Sequence, residues 1–215
     1  MCLILVAWQK YSEYPLVVAA NRDEFHARPS DRAGFWRDQP QILAGRDLEA
    51  KGTWLGVSRS GRFAAVTNYR GGRDPEAKES RGSLVTRFLL GAATESRTGY
   101  SGFNLLAADR NELHWLSNRD GAPRTLEPGF YALGNLLLDT PEVAEVKSRF
   151  ERTSLAVESL FALLATAKIV APVYGTRCST VVLAGADGRT QFAERSFDPS
   201  GTDGSTLRFE FSRSG

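Results

Sequence analysis

The sequence predicts an α+β domain with largely antiparallel sheet structure. Three observations carry that expectation. Apolar runs joined by short polar turns recur at both ends of the chain, as β-hairpins do. Stretches with helical spacing fall between them. No internal repeat and no evident linker interrupts the 215 residues, so residues 1–215 read as a single domain. Two stacked sheets covered by helices would use this number of elements.

The elements follow in order. Leu3 to Trp8 is apolar throughout and reads as a buried strand. Lys10 to Pro15 is a polar turn, and Leu16 to Ala20 is a second apolar, β-branched run. Together they predict an N-terminal hairpin. Phe25 to Ala50, with Pro29, Gly34, Pro40 and Gly45, reads as loop. Gly52–Val57 and Arg62–Thr67 flank Ser58-Arg59-Ser60-Gly61 as a second hairpin. Arg73 to Ser80 is a charged connection. A helix opens at Arg81-Gly82, with Leu84, Val85, Phe88 and Leu89 on one face and Gly91 as its stop. Phe103–Ala108 and Leu113–Leu116 form a third hairpin, and Phe130–Leu133 a short strand. Thr140-Pro141-Glu142 starts a helix over Val143–Arg152, and a further helix covers about Ser154 to Ala167. Cys178–Leu183 and Gln191–Ser196 pair across Gly185–Gly188. A last strand alternates Leu207, Phe209 and Phe211 with Arg208 and Glu210.

Composition narrows the function. The chain is 42% hydrophobic and 24% charged, with a formal net charge of +2. That charge is too small to argue for nucleic acid or an anionic membrane. No stretch approaches the roughly 20 apolar residues that span a bilayer. No signal peptide is evident and the two cysteines do not form a disulfide framework, so a cytoplasmic protein is expected. No metal-type Cys/His spacing occurs, and no metal or cofactor is expected.

Cys2 is the leading candidate for chemistry. If Met1 is removed, Cys2 carries both a thiol and a free α-amino group. Their reference pKa values are about 8.5 and 7.7–8.0. One residue then supplies a nucleophile and a neighbouring base. The alternative is a small hydrophobe at the mouth of a core strand. The hairpin decides what stands nearby. Antiparallel strands joined by a short turn bring the end of the second, Asn21-Arg22-Asp23-Glu24, beside the start of the first. Asn21, Arg22 and Asp23 then lie within side-chain reach of Cys2. Asn68, Asn135 and Arg177 likewise follow or border apolar runs, where site residues often sit. Asn68 and Asn135 also suit turns, and Arg177 also suits a buried ion pair with Asp23. Trp36, in the long loop, is the tryptophan best placed to line a pocket. His26 reads as a surface histidine and Cys178 as a small strand residue.

Met1-Cys2-Leu3, Asn21-Arg22-Asp23-Glu24, Gly52-Thr53-Trp54-Leu55-Gly56, Thr67-Asn68-Tyr69-Arg70, Ser80-Arg81-Gly82, Gly102-Phe103-Asn104-Leu105 and Tyr174-Gly175-Thr176-Arg177-Cys178-Ser179-Thr180 resemble the NRDE family, the Transport and Golgi organisation 2 homologues. That family is similar in turn to the N-terminal-nucleophile (Ntn) hydrolases of the choloylglycine hydrolase and penicillin V acylase group. The resemblance implies a four-layer αββα sandwich. It also implies Cys2, Asp23, Asn68, Asn135 and Arg177 as catalytic residues, with Asn21, Arg22, Tyr69 and Trp36 as substrate contacts. Arg22 lies between Asn21 and Asp23, displaced from the arginine of the hydrolase pattern. The implied activity is hydrolysis of a non-peptide amide or other acyl bond in a small molecule. The alternative is a binding protein for haem or another hydrophobic ligand, with Cys2, His26 or Cys178 as candidate iron ligands.

Overall fold

The structure, a computed structural model, describes residues 2–72, 74–93 and 98–214. Met1 and its removal, and Arg73 at the start of the charged connection, lie outside the described residues. The chain divides into two compact units. The first contains residues 1–28, 128–134 and 138–213, and the second residues 29–127, 135–137 and 214–215.

The first unit is a six-stranded antiparallel sheet. Its strands are β1 (Leu3–Trp8), β2 (Leu16–Phe25), β10 (Gly129–Leu133), β11 (Tyr174–Ala184), β12 (Arg189–Phe197) and β13 (Asp203–Ser212), in the order β10-β1-β2-β11-β12-β13. The predicted N-terminal hairpin is present, with Ile4 opposite Ala20 and Trp8 opposite Leu16. β1 is buried at every position, which explains why it reads as a continuous apolar run rather than an alternating one. Two helices belong to this unit, α2 (Ala144–Phe150) and α3 (Val157–Ala165). Their apolar residues Phe150, Leu160, Phe161, Leu163 and Leu164 pack with Leu3, Leu5, Ala7, Val17, Ala19, Val181 and Leu183. Truncating one such leucine to alanine typically costs about 2–5 kcal/mol. Thr140 precedes a single 3₁₀ turn, Pro141–Val143, and its side chain makes no capping bond. Pro141 at the first position sets that turn by its fixed φ.

The second unit is a seven-stranded antiparallel meander in sequence order. It comprises β3 (Ser30–Phe35), β4 (Ile42–Asp47), β5 (Leu55–Ser58), β6 (Phe63–Asn68), β7 (Phe103–Ala108), β8 (Leu113–Ser117) and β9 (Arg124–Leu126). The helix α1 (Gly82–Leu89) buries Leu84, Val85, Phe88 and Leu89 against Ile42, Ala64, Phe103 and Leu105. Gly52 allows the first turn of α1 to come close, since a Cβ there would stand 2.6 Å from the Gly82 carbonyl carbon. β3 and β4 replace the expected loop. β3 reads Ser-Asp-Arg-Ala-Gly-Phe, exposes Asp31 and Arg32, buries only Ala33 and shifts register between Asp31 and Gly34. An irregular, polar edge strand of this kind carries no period-2 signal.

Candidate active site

Three strands of the six-stranded sheet converge on Cys2. β1 and β2 pair with Leu3 opposite Asn21, so Cys2, one residue earlier, meets Arg22 and Asp23. The Cys2 Sγ–H donates to Asp23 O at 3.3 Å, and the Asp23 N–H donates to Sγ at 3.4 Å. The sulfur is therefore held by both backbone polar groups of one residue. Burial pushes the thiol up to about 11, and the Asp23 carboxylate adds to the rise. The Asp23 N–H bond and the Arg22 charge act against it. At neutral pH the thiol keeps its proton, so nucleophilic use of this sulfur needs a base.

β11 flanks β2 on its other side, with Ser179 opposite Asn21, Cys178 opposite Arg22 and Thr176 opposite Asp23. The register shifts between Thr176 and Cys178, which leaves Arg177 as the extra residue of a β-bulge. The bulge re-aims Arg177. Its Nη1 donates to the carbonyls of Phe25, His26 and Arg28 at 3.0, 3.1 and 3.2 Å, clasping the turn that follows β2. Burial, with Arg22 as a neighbouring like charge, lowers its hold on the proton. The buried Asp23 Oδ1 accepts a hydrogen bond from Thr176, whose Oγ1 donates at 2.6 Å.

Asn21 uses its amide within the fold. Nδ2 donates to Leu164 O near the end of α3, and Oδ1 accepts from Ser179 Oγ at 2.6 Å. Arg22 is buried, stands opposite Cys178 and lies 3.9 Å from Glu24 Oε2. The Cys178 thiol is pushed well up by burial and by Glu194. Tyr174, at the start of β11, donates its hydroxyl to Asp23 O at 3.2 Å. Burial, then the charges of Cys2, Asp23 and Glu24, raises the Tyr174 phenol. His26 Nε2 faces Ala171 O at 3.0 Å and is its donor.

The other predicted residues belong to the second unit. Asn68 is exposed at the end of β6. The Asn135 Nδ2 donates to Asn68 O at 2.8 Å, and the Arg70 N–H donates to Asn135 O at 2.7 Å. The half-buried Tyr69 donates its N–H to Gly102 O. Trp36 is buried in that unit's core, donates Nε1–H to Ala44 O and lies under the Arg46 guanidinium. Tyr174 and Thr176 were not singled out from the sequence, because β11 extends four residues before the apolar run that signals it, and Ser179 lies inside that run. The signal for Tyr174 and Thr176 is polar residues two apart leading into an apolar strand. Among the described residues, no cluster of three or more His, Cys, Asp or Glu side chains could hold a metal ion, and no helix is long and apolar enough to cross a membrane.

Comparison with known proteins adds lineage to this geometry. Residues 1–168 match the family model of Transport and Golgi organisation 2. The Transport and Golgi organization protein 2 homolog of Bos taurus is 33% identical, over 97% of this chain and 99% of its own. That of Homo sapiens is 32% identical, over 91% and 93%. Among solved structures, the Caenorhabditis elegans ortholog of N-acylethanolamine-hydrolyzing acid amidase aligns with a TM-score of 0.57, over 85% of this chain and 92% of its own. At 15% identity this likeness shows the fold alone, an Ntn-hydrolase-like one.

Proposed function

From the premise that the chain belongs to the Transport and Golgi organisation 2 family, we propose that it is an N-terminal-cysteine hydrolase of a small-molecule amide or other acyl bond. The observation that carries this reading is the placement of Cys2 Sγ within hydrogen-bond distance of both the N–H and the C=O of Asp23. Removal of Met1 makes Cys2 the first residue. Its α-amine takes the thiol proton, the sulfur attacks the acyl carbon, and the amine passes the proton to the leaving group. Water then releases the acyl group. The raised thiol pKa makes that base necessary. Asp23 orients the amine. The resemblance assigns the oxyanion donors to Asn68 and Asn135. Asn135 spends one N–H on Asn68 O and has a second to give. Arg177 braces the turn after β2, and Arg22 supplies a buried positive charge for an anionic group.

An apolar acyl portion suits the surroundings. Among the described residues the exposed large apolar side chains are Phe25, Leu90, Val170 and Val173. Three of these four come from two segments bonded to each other, since the His26 N–H donates to Val173 O. Phe25 meets Tyr174 edge-on at 5.3 Å, and Tyr174 bonds the same Asp23 carbonyl that accepts the thiol. The C. elegans likeness, to an enzyme named for hydrolysing N-acylethanolamines, agrees with such a substrate. The test is acylation with p-nitrophenyl acetate. A Cys2-linked acetyl group and release of p-nitrophenolate are expected. A wild-type protein that acquires no acetyl group on Cys2 overturns the reading.

A further inference from the structure

Thr176 is 1% exposed, and its hydroxyl makes two hydrogen bonds. The Ile169 N–H donates to Oγ1 at 2.8 Å, and Oγ1 lies 2.6 Å from Asp23 Oδ1. A hydroxyl has one proton, and an ionised carboxylate only accepts. Since Ile169 fills the acceptor role of Oγ1, the hydroxyl proton points to Asp23. The Thr176 N–H returns a bond to Ile169 O at 2.9 Å, so the two residues clasp each other. Gly175 lets this happen, because a Cβ there would stand 2.8 Å from Ile169 O. The 169–173 segment is tied down again at Ala171 O and Val173 O by His26.

We propose that Thr176 is a positioning residue for Asp23, and that through it the 169–173 segment aims the carboxylate at the Cys2 amine. This rests on the reading of Cys2 and Asp23 given above. A carboxyl torsion is soft, with no sharp rotamer. A donor on a β-branched side chain, stiff at χ1 and itself held by Ile169, removes that freedom. Tyr174 does not substitute, since its hydroxyl meets the Asp23 carbonyl rather than the carboxylate. Among the described residues, the charged and titratable groups around Asp23 are Cys2, just before β1, Arg22 and Glu24 on β2, and Tyr174 and Arg177 on β11.

The test compares wild type, Thr176→Val, Thr176→Ala and Thr176→Ser by the rate of p-nitrophenyl acetate acylation at Cys2 across pH. In that step the Sγ–C bond forms, the C–O bond to p-nitrophenolate breaks, and the thiol proton passes to the α-amine. Valine keeps the volume without the hydroxyl, alanine deletes it without added bulk, and serine keeps it. The plateau rate is expected to fall about tenfold in the Val and Ala proteins, a fraction of what positioned acid–base catalysis contributes. Their pH midpoint should move down, because an ammonium with a less well-aimed carboxylate is less favoured. Serine should restore both. The Val and Ala proteins should melt at lower temperature, because the Ile169 N–H and Asp23 Oδ1 lose a buried partner, so the pH midpoint, which lost stability alone does not move, is the deciding readout. A Thr176→Val or Thr176→Ala protein with the wild-type rate and midpoint, beside a wild type that does acylate, overturns this inference alone. Absence of acylation in the wild type overturns the reading beneath it.

Discussion

The two ends of the six-stranded sheet carry opposite kinds of polarity. At the end where β1 begins, Asn21, Arg22, Asp23, Thr176 and Ser179 are all buried, and Asn21, Asp23, Thr176 and Ser179 make hydrogen bonds of 2.6–2.9 Å. At the other end, beyond Trp8, Leu16 and Ala184, Glu13, Tyr14, Asp187, Arg189 and Glu210 line a cavity of about 360 Å³. There the charges face solvent, and Arg189 pairs loosely with Asp187 at 3.3 Å and Glu210 at 4.0 Å. A concave shape alone does not make chemistry. Exposed pairs are screened and contribute about 0–1 kcal/mol. Buried groups change their proton affinity, as the Cys2 thiol does, and so acquire chemical roles.

That contrast can be broken in several places. The largest effect is expected at the buried end, where Cys2→Ala should abolish p-nitrophenyl acetate acylation at this position, and Asp23→Asn should slow it by about a thousandfold. Mass spectrometry of the acetylated peptide reads both. On the proposed assignment of the oxyanion donors, Asn135→Ala should slow acylation by about 10²–10³, equivalent to about 2.7–4 kcal/mol. A stopped-flow trace of p-nitrophenolate release measures it. Asn21→Ala leaves the Leu164 carbonyl and the Ser179 hydroxyl without their partner. It should cost about 2–4 kcal/mol in urea unfolding.

A smaller effect concerns alkaline stability. The folded Cys2 thiol titrates near 11 rather than 9.0, so the folded state holds a proton that the unfolded state has already released. Its contribution is complete below pH 9 and is lost as the pH rises through about 11. Cys178 and Tyr174 are raised too, so Cys2→Ser should flatten the alkaline fall in melting temperature without removing it. The smallest effect is expected at the solvated end. Glu210→Gln should change stability by no more than about 0.5 kcal/mol and leave acylation unaltered.

The contrast also explains what the sequence displayed. Hairpin logic alone places Asp23 beside Cys2, and the structure has Leu3 opposite Asn21. Asn21 is likewise brought to this end of the sheet, but its amide ties β2 to α3 and β11. The helix over Gly82–Leu89 was legible because four apolar residues mark one face. Two things were not. β3 and β4 lack alternation, and their pairing is a property of the meander rather than of their own residues. The Thr176–Asp23 bond was hidden because it depends on a one-residue bulge at Arg177. Spacing in sequence gives no warning of a bulge, yet it decides whether the threonine or the arginine meets the carboxylate.

The most direct test is intact-mass and peptide mass spectrometry of the purified protein after p-nitrophenyl acetate treatment. The account predicts a chain that starts at Cys2 and carries one acetyl group on that residue. A chain that retains Met1, or an acetyl group on Cys178 with Cys2 unmodified, would contradict it.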